Sequence, residues 1–331
     1  MIAPVLLVLA ATLATAGPAD SAGAALYQAW CSQCHGKDGR GVAATQTHLS
    51  VPPANFADCR ASTAETDARW TGIVRDGGAA FGLSLDMPAY GGAATPEQLR
   101  AVVRYIRSLC RERGWPPGEL NFPRAFLAEK AYPENEAVIS LHGREQQYIY
   151  ERRLGRRAQL EANARTVLDS LDKPFDGVTA AVKYDAWYSA ERRALASVGL
   201  EATPPVGRQD AWELEPFIAF GANPRSALAV QGEVGATWEE GSGVTGFSYS
   251  LGLGPQVGRF APQLEVGGTV PRSGSATLVF VPQLWFQLSR LGHVAGSIGV
   301  ELPARAPEPR HPRLTAFLLW DYGDAGLLRG W

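Results

Sequence analysis

The sequence is short of charge, of sulfur and of long apolar runs. Charged residues make up 19% of its 331 residues, and the net charge is −2. A typical domain carries about a quarter charged residues. So balanced a chain presents no global basic field for nucleic acid. Beyond the N-terminal segment no apolar run approaches the roughly 20 residues of a helical membrane span. There is no Ser-His-Asp order, no phosphate loop and no second metal motif, so the chain is expected to be a carrier and not an enzyme. Cysteines number 4 and methionines 2, one of them Met1. Any sulfur chemistry must therefore come from Cys31, Cys34, Cys59, Cys110 and Met87. What the chain does have is glycine, at 36 residues, with aromatics spread throughout. That composition is not one of disorder. It suits a β-rich protein with many turns, or one whose outer surface is not water.

Residues 1–16 have an apolar stretch of secretory length ending in Ala14-Thr15-Ala16. They read as a cleaved signal peptide, with a retained anchor as the alternative. No cysteine follows the cleavage site directly, which disfavours a lipid-anchored start.

Cys31 and Cys34 stand in WCSQCHGKDGRG. C-x-x-C-H is the attachment motif of c-type haem. Two thiols one helical turn apart can each form a thioether to one vinyl group, and His35 then presents its imidazole to the iron. Zinc and thiol redox are the competing readings. Zinc would want a second Cys or His pair at finger spacing, and a thioredoxin-like site needs no histidine. For the sixth iron ligand the mature chain offers Met87, in LDMPAYGG, with His48 as its rival. A thioether opposite histidine raises the reduction potential and suits electron transfer.

The flanks read as helices. Leu26, Tyr27 and Trp30 recur at helical spacing before the motif. Thr95-Pro96-Glu97-Gln98 forms a capping box with proline at the first helical position. Leu99, Val102, Val103, Ile106 and Leu109 then line one stripe. With these features residues 20–110 resemble a class I cytochrome c: G-x-x-L-Y, the C-S-Q-C-H-G-K-D-G-R-G run, the M-P-A-Y loop and a last helix carrying Tyr105. The resemblance implies one covalent haem, His35 and Met87 as axial ligands, and terminal helices that cross beside the haem. Cys59 and Cys110 lie outside that pattern. Exported thiols without another role tend to pair, so a Cys59–Cys110 disulfide is expected.

Residues 111–135 hold four prolines and no clean period, and read as a semi-rigid linker between two domains. Trp115, Phe122, Phe126 and Leu127 give that segment apolar side chains a plain tether would not need.

From 136 to 331 the period changes from about 3.6 to 2. In TLVFVPQLWFQLSR, Leu278, Phe280, Pro282, Leu284, Phe286 and Leu288 share one face. Val279, Val281, Gln283, Trp285 and Gln287 share the other. A soluble sandwich and an outer-membrane barrel could both explain such alternation. Sandwich strands run about 5–6 residues, and barrel strands about 9–11 with short periplasmic turns and longer outer loops. The strands here are mostly ten or longer, with shorter turns near 154–155, 188–191, 222–225, 255–258 and 290–291. The reading is an antiparallel barrel of about twelve strands. Pro282 should force a bulge, since a barrel has no free edge to accommodate its missing N–H. YERRLGRRAQLEANA and the ALASVGLEATPPVG run resemble transporter-like outer-membrane barrels, and a terminal aromatic, Trp331, suits barrel insertion. Glu161, Lys183, Asp185, Glu233 and Glu265 fall on the lumen row and read as a solvated, self-paired interior.

The expected fold is thus α + β multidomain: an all-α cytochrome c domain, then the barrel. The expected function is one-electron transfer by a periplasmic haem domain held at the outer membrane, with periplasmic redox proteins and membrane lipid as partners and no nucleic acid. A channel gated or sensed by the cytochrome is one alternative. A haem subunit of a periplasmic redox enzyme with a soluble β domain is another.

Overall fold

The computed structural model describes residues 18–43, 46, 48–168, 174–225, 228–290, 292–306 and 311–323. Residues 1–16, read above as a signal peptide, and Trp331 lie outside these residues.

The N-terminal body is helical. Its helices are α1 (Pro18–Trp30), α2 (Ser32–His35), α3 (Cys59–Ala64), α4 (Asp67–Asp76) and α5 (Pro96–Leu109). Both halves of the capping box at Thr95 form: the Gln98 amide N–H donates to the threonine hydroxyl, and the Thr95 N–H donates to the Gln98 side chain. The stripe of α5 turns inward, with Leu99, Val102, Val103 and Ile106 buried. α1 crosses α5 at a point where only glycine fits. A Cβ on Gly23 would lie 2.3 Å from the Ala101 carbonyl oxygen. Cys59 and Cys110 form a disulfide that ties α3 to the end of α5.

The C-terminal body is a closed antiparallel barrel of twelve strands, β1 (Glu136–His142) to β12 (Arg313–Asp321). Each strand pairs with its sequence neighbours, and β1 closes on β12 from Glu136↔Asp321 to His142↔Thr315. Closure leaves no edge, so every strand has a hydrogen-bonding neighbour on both sides. Along each strand the apolar row faces outward, as at Leu253 (47% exposed) and Ile298 (49%), and polar residues such as Asp185 and Glu265 (0% each) point in. Apolar outside and polar inside is the arrangement for a lipid solvent, and it excludes a sandwich core.

Pro282 corrects one expectation. It pairs in register with Leu264 of β9 (Phe260–Pro271). Toward β11 (Val294–Arg305) the register is the same at Phe280↔Leu302 as at Gln283↔Gly299. The shift lies instead at Leu278/Val279 of β10 (Leu278–Gln287). Val281 and Pro282 have no recorded partner on β11, and that local gap absorbs the missing donor without a bulge.

The segment read as a linker does more than join the two bodies, because it runs through the barrel interior. Trp115, Leu120, Phe122 and Tyr132 are buried, and Leu120, Phe122, Ala131 and Tyr132 form one core with Leu195, Phe217 and Ala219 of the wall. An extended chain inside a barrel needs partners for its peptide groups. The wall supplies them. The amides of Phe126 and Leu127 donate to the Glu265 carboxylate at 2.6 and 2.8 Å. The Glu129 and Glu134 amides donate to Glu233 and to the Gln159 side-chain oxygen, and Gln231 donates to the Pro123 carbonyl. Proline-rich backbone, with fewer donors to satisfy, suits this position.

Candidate functional site: a haem-binding sulfur and imidazole cluster

α1 ends in the C-x-x-C-H turn. The Cys31 and His35 amides donate to the Tyr27 and Cys31 carbonyls, so both cysteines and His35 share consecutive helical turns. Cys31 and Cys34 are not joined to each other or to another cysteine. Burial, with a smaller contribution from Cys34, pushes the Cys31 thiol up to about 11. A reactive redox thiol is shifted the other way, so the thioredoxin-like reading finds no support. Among the described residues, the acidic and His/Cys groups close enough to hold a metal are carboxylates of the barrel and its inner segment, and none includes Cys31 or Cys34. The zinc reading therefore lacks its remaining ligands.

His35 is buried, and its ring stacks on Phe56 with centroids 4.4 Å apart. Its Nδ1 lies 3.2 Å from the Ala54 carbonyl oxygen. A carbonyl can only accept, so Nδ1 carries the proton and Nε2 keeps its lone pair. Burial lowers the pKa of this imidazole, which favours the neutral form that binds metal. A backbone acceptor fixing tautomer and ring orientation is the usual support of a metal-bound histidine. The Ala54 carbonyl carries no side-chain signal, and sequence reasoning missed it. The Tyr27 hydroxyl holds the other side of the turn by donating to the Gly36 carbonyl at 2.7 Å.

Met87 is half-buried and packs with Trp70 and Tyr90 against Val74, Leu99 and Val103. His48 is exposed. The loop bearing Met87 is fastened to α1. Tyr90 stacks on Trp30 at 5.3 Å and donates its hydroxyl proton to the Trp30 carbonyl at 2.7 Å. Asp86 accepts from the Ser50 amide and hydroxyl, tying the 48–51 stretch to the same loop. Trp70 touches both the cluster around Cys31 and the one around Met87. The donor set fits a c-type haem: two unpaired thiols, a neutral imidazole with a free Nε2, and one thioether on a neighbouring loop packed against the same helix, α5.

The helical body sits at the short-turn end of the barrel. The Arg153 guanidinium donates to the Arg60 carbonyl at 3.0 Å, and the Asp67 amide donates to Glu119 at 2.6 Å. His293, in the turn before β11, lies 4.0 Å from Glu65. Burial raises the Glu65 pKa despite its ion pair with Arg69. At Gly118 a Cβ would come within 2.2 Å of the Ala64 carbonyl oxygen, so the chain enters the barrel hard against α3.

Residues 18–106 match the family described as cytochrome c oxidase, cbb3-type, subunit III. No curated protein matches the sequence. Among solved structures the chain is similar to the KdgM porin in complex with disordered oligogalacturonate, at 10% identity and a TM-score of 0.45 over 56% of this chain and 96% of that one. The COG4313 outer membrane channel from Pseudomonas putida F1 gives 12% identity and 0.45 over 60% and 98%. LpxR from Salmonella typhimurium gives 7% and 0.36 over 56% and 99%. The chain thus carries a cytochrome c domain at residues 18–106, fused to a closed twelve-stranded barrel whose apolar row faces outward.

Proposed function

We propose that the protein is a one-electron carrier, with a single covalent haem c at the periplasmic mouth of a barrel that anchors it in the outer membrane. The observation that carries this reading is the His35 geometry beside two unpaired cysteines. Nδ1 is committed to the Ala54 carbonyl, and Nε2 remains for iron. Cys31 and Cys34 would hold the haem by thioethers, and His35 and Met87 would ligate its iron. The haem supplies reversible one-electron chemistry when bound. The chain's own part is to bind, orient and shield it. Phe56 and Trp70 cover the ligand side, and Tyr90 fixes the Met87 loop.

The turns support this orientation. Outer-membrane barrels keep short turns on the periplasmic side, and the helical body contacts that end. Its electron partners would be periplasmic redox proteins. The filled lumen supports an anchor over an open channel. Arg124, buried in the inner segment, reaches Glu136 at 3.2 Å and Glu151 at 2.6 Å on the wall. Lys183 of the wall reaches Glu129 at 2.6 Å.

Redox titration of the purified full chain tests the carrier role. A single reversible one-electron wave with a low-spin spectrum is expected, and Met87→Ala should lower the potential and change that spectrum. An unchanged spectrum in the variant would remove Met87 as ligand. Absence of pyridine-stable haem would remove the carrier reading altogether. Liposome swelling separates anchor from channel: sugar uptake above protein-free vesicles would favour the channel.

A further inference from the structure

The two rims of the barrel differ in charge. In the described turns at the cytochrome end, residues 155–157, 190–193, 256–259, 288–290 and 292–293, the sequence places six arginines against one carboxylate, Glu191; of the six, Arg156 and Arg157 pair with Glu112 and Asp185, each at 3.2 Å. The opposite rim has no such excess. Its described residues, 143–144, 168, 174, 204–212, 240–242, 272–277, 306 and 311–312, hold three arginines and two carboxylates, Asp210 and Glu240.

The arginines also have a repeated setting. Val257-Gly258-Arg259-Phe260 and Leu288-Ser289-Arg290 each put an arginine at a turn tip beside exposed apolar side chains. Val257 is 63% exposed, Phe260 54% and Leu288 51%. Arg192 and Arg290 are exposed and form no ion pair with a described residue. Arg259 is exposed too, and donates to the Leu288 and Ser289 carbonyls at 3.2 and 3.1 Å, bracing two neighbouring turns. Apolar side chains this exposed at turn tips are unfavourable in water. They are favourable where acyl chain gives way to headgroup, and an arginine there reaches phosphate.

We propose that this rim is a docking surface for acidic phospholipid headgroups, with Arg192, Arg259 and Arg290 as its phosphate-binding groups. The proposal rests on the outer-membrane reading above. Charge complementarity chooses the occupant: a one-sided positive ring bordering a lipid-facing apolar band meets the negative leaflet surface. The ring would also set the depth of the barrel and so hold the cytochrome body clear of the bilayer.

The test reconstitutes the full chain in phosphatidylcholine nanodiscs containing a trace of spin-labelled phosphatidylglycerol or spin-labelled phosphatidylcholine. Electron spin resonance reads the immobilised fraction of each. The acidic lipid should be preferred about fivefold, the factor that one surface arginine contributes. The preference should approach parity in R192Q/R259Q/R290Q, and also for the unmodified chain in about 1 M salt, where screening shortens to about 3 Å. Equal immobilisation of the two lipids overturns the proposal, as does a preference that survives both the substitutions and salt. Failure of the chain to insert, seen as no heat-shifted band on a gel, overturns the outer-membrane reading itself and the proposal with it.

Discussion

Arg124→Ala should loosen the segment that fills the barrel. The side chain is 8% exposed. It lies between Glu136 and Glu151, both buried, with Glu129 at 4.0 Å. Removing the cation leaves Glu151 buried without its partner, beside Glu136 and Glu129, which keep Lys130 and Lys183. Deleting one partner of a buried pair costs about 3–5 kcal/mol. At 1.4 kcal/mol per decade, that raises the population of the undocked segment about a hundred- to a few-thousandfold. The readout is hydrogen exchange at the Phe126 and Leu127 amides, which donate to Glu265 and should be protected in the parent. Their protection should fall by that factor in the variant. Adding Glu136→Gln and Glu151→Gln to Arg124→Met, which neutralises the group together, should restore most of it. Unchanged protection in Arg124→Ala would refute the idea that this charge group seats the segment.

Other substitutions test other joints. Gly23→Val places a side chain where the Ala101 carbonyl oxygen would be 2.3 Å from its Cβ. It should separate α1 from α5 and abolish haem incorporation, read by haem stain against a barrel that still shows heat modifiability. Thr95→Ala removes a cap and should cost about 1 kcal/mol in the unfolding of the helical body, followed by circular dichroism at 222 nm. Opening the disulfide with Cys59→Ser and Cys110→Ser releases a loop of 51 residues. The chain-entropy estimate is about 4 kcal/mol, read as a lower denaturant midpoint for haem-band loss.

Much of this fold is legible in the sequence because two solvents impose two periods. The stripe of α5 and the capping box at Thr95 follow from a helix with one wet face. The alternation through β2 (Glu145–Leu154) to β12 follows from strands with lipid on one side, and the strand count is recoverable from it. C-x-x-C-H is legible because its five residues stand together in the sequence. The Ala54 carbonyl and the Gly118–Ala64 contact are backbone features and leave no mark on residue identity. The inner segment was half-visible. Trp115 and Phe122 show that it docks, but prolines inside a barrel and prolines in a free linker look alike until Glu265 and Glu233 are seen to receive its amides. Pro282 misled, because a gap in pairing can absorb a missing donor as well as a bulge can.

The central claim is that one haem and one outer-membrane barrel belong to the same folded chain. A haem-stained gel of the outer-membrane fraction, run with and without heating, tests it most directly. The account predicts a haem-positive band in that fraction whose mobility shifts on boiling and whose haem survives denaturation. Haem found in the soluble periplasm, or a band that does not shift, would contradict it.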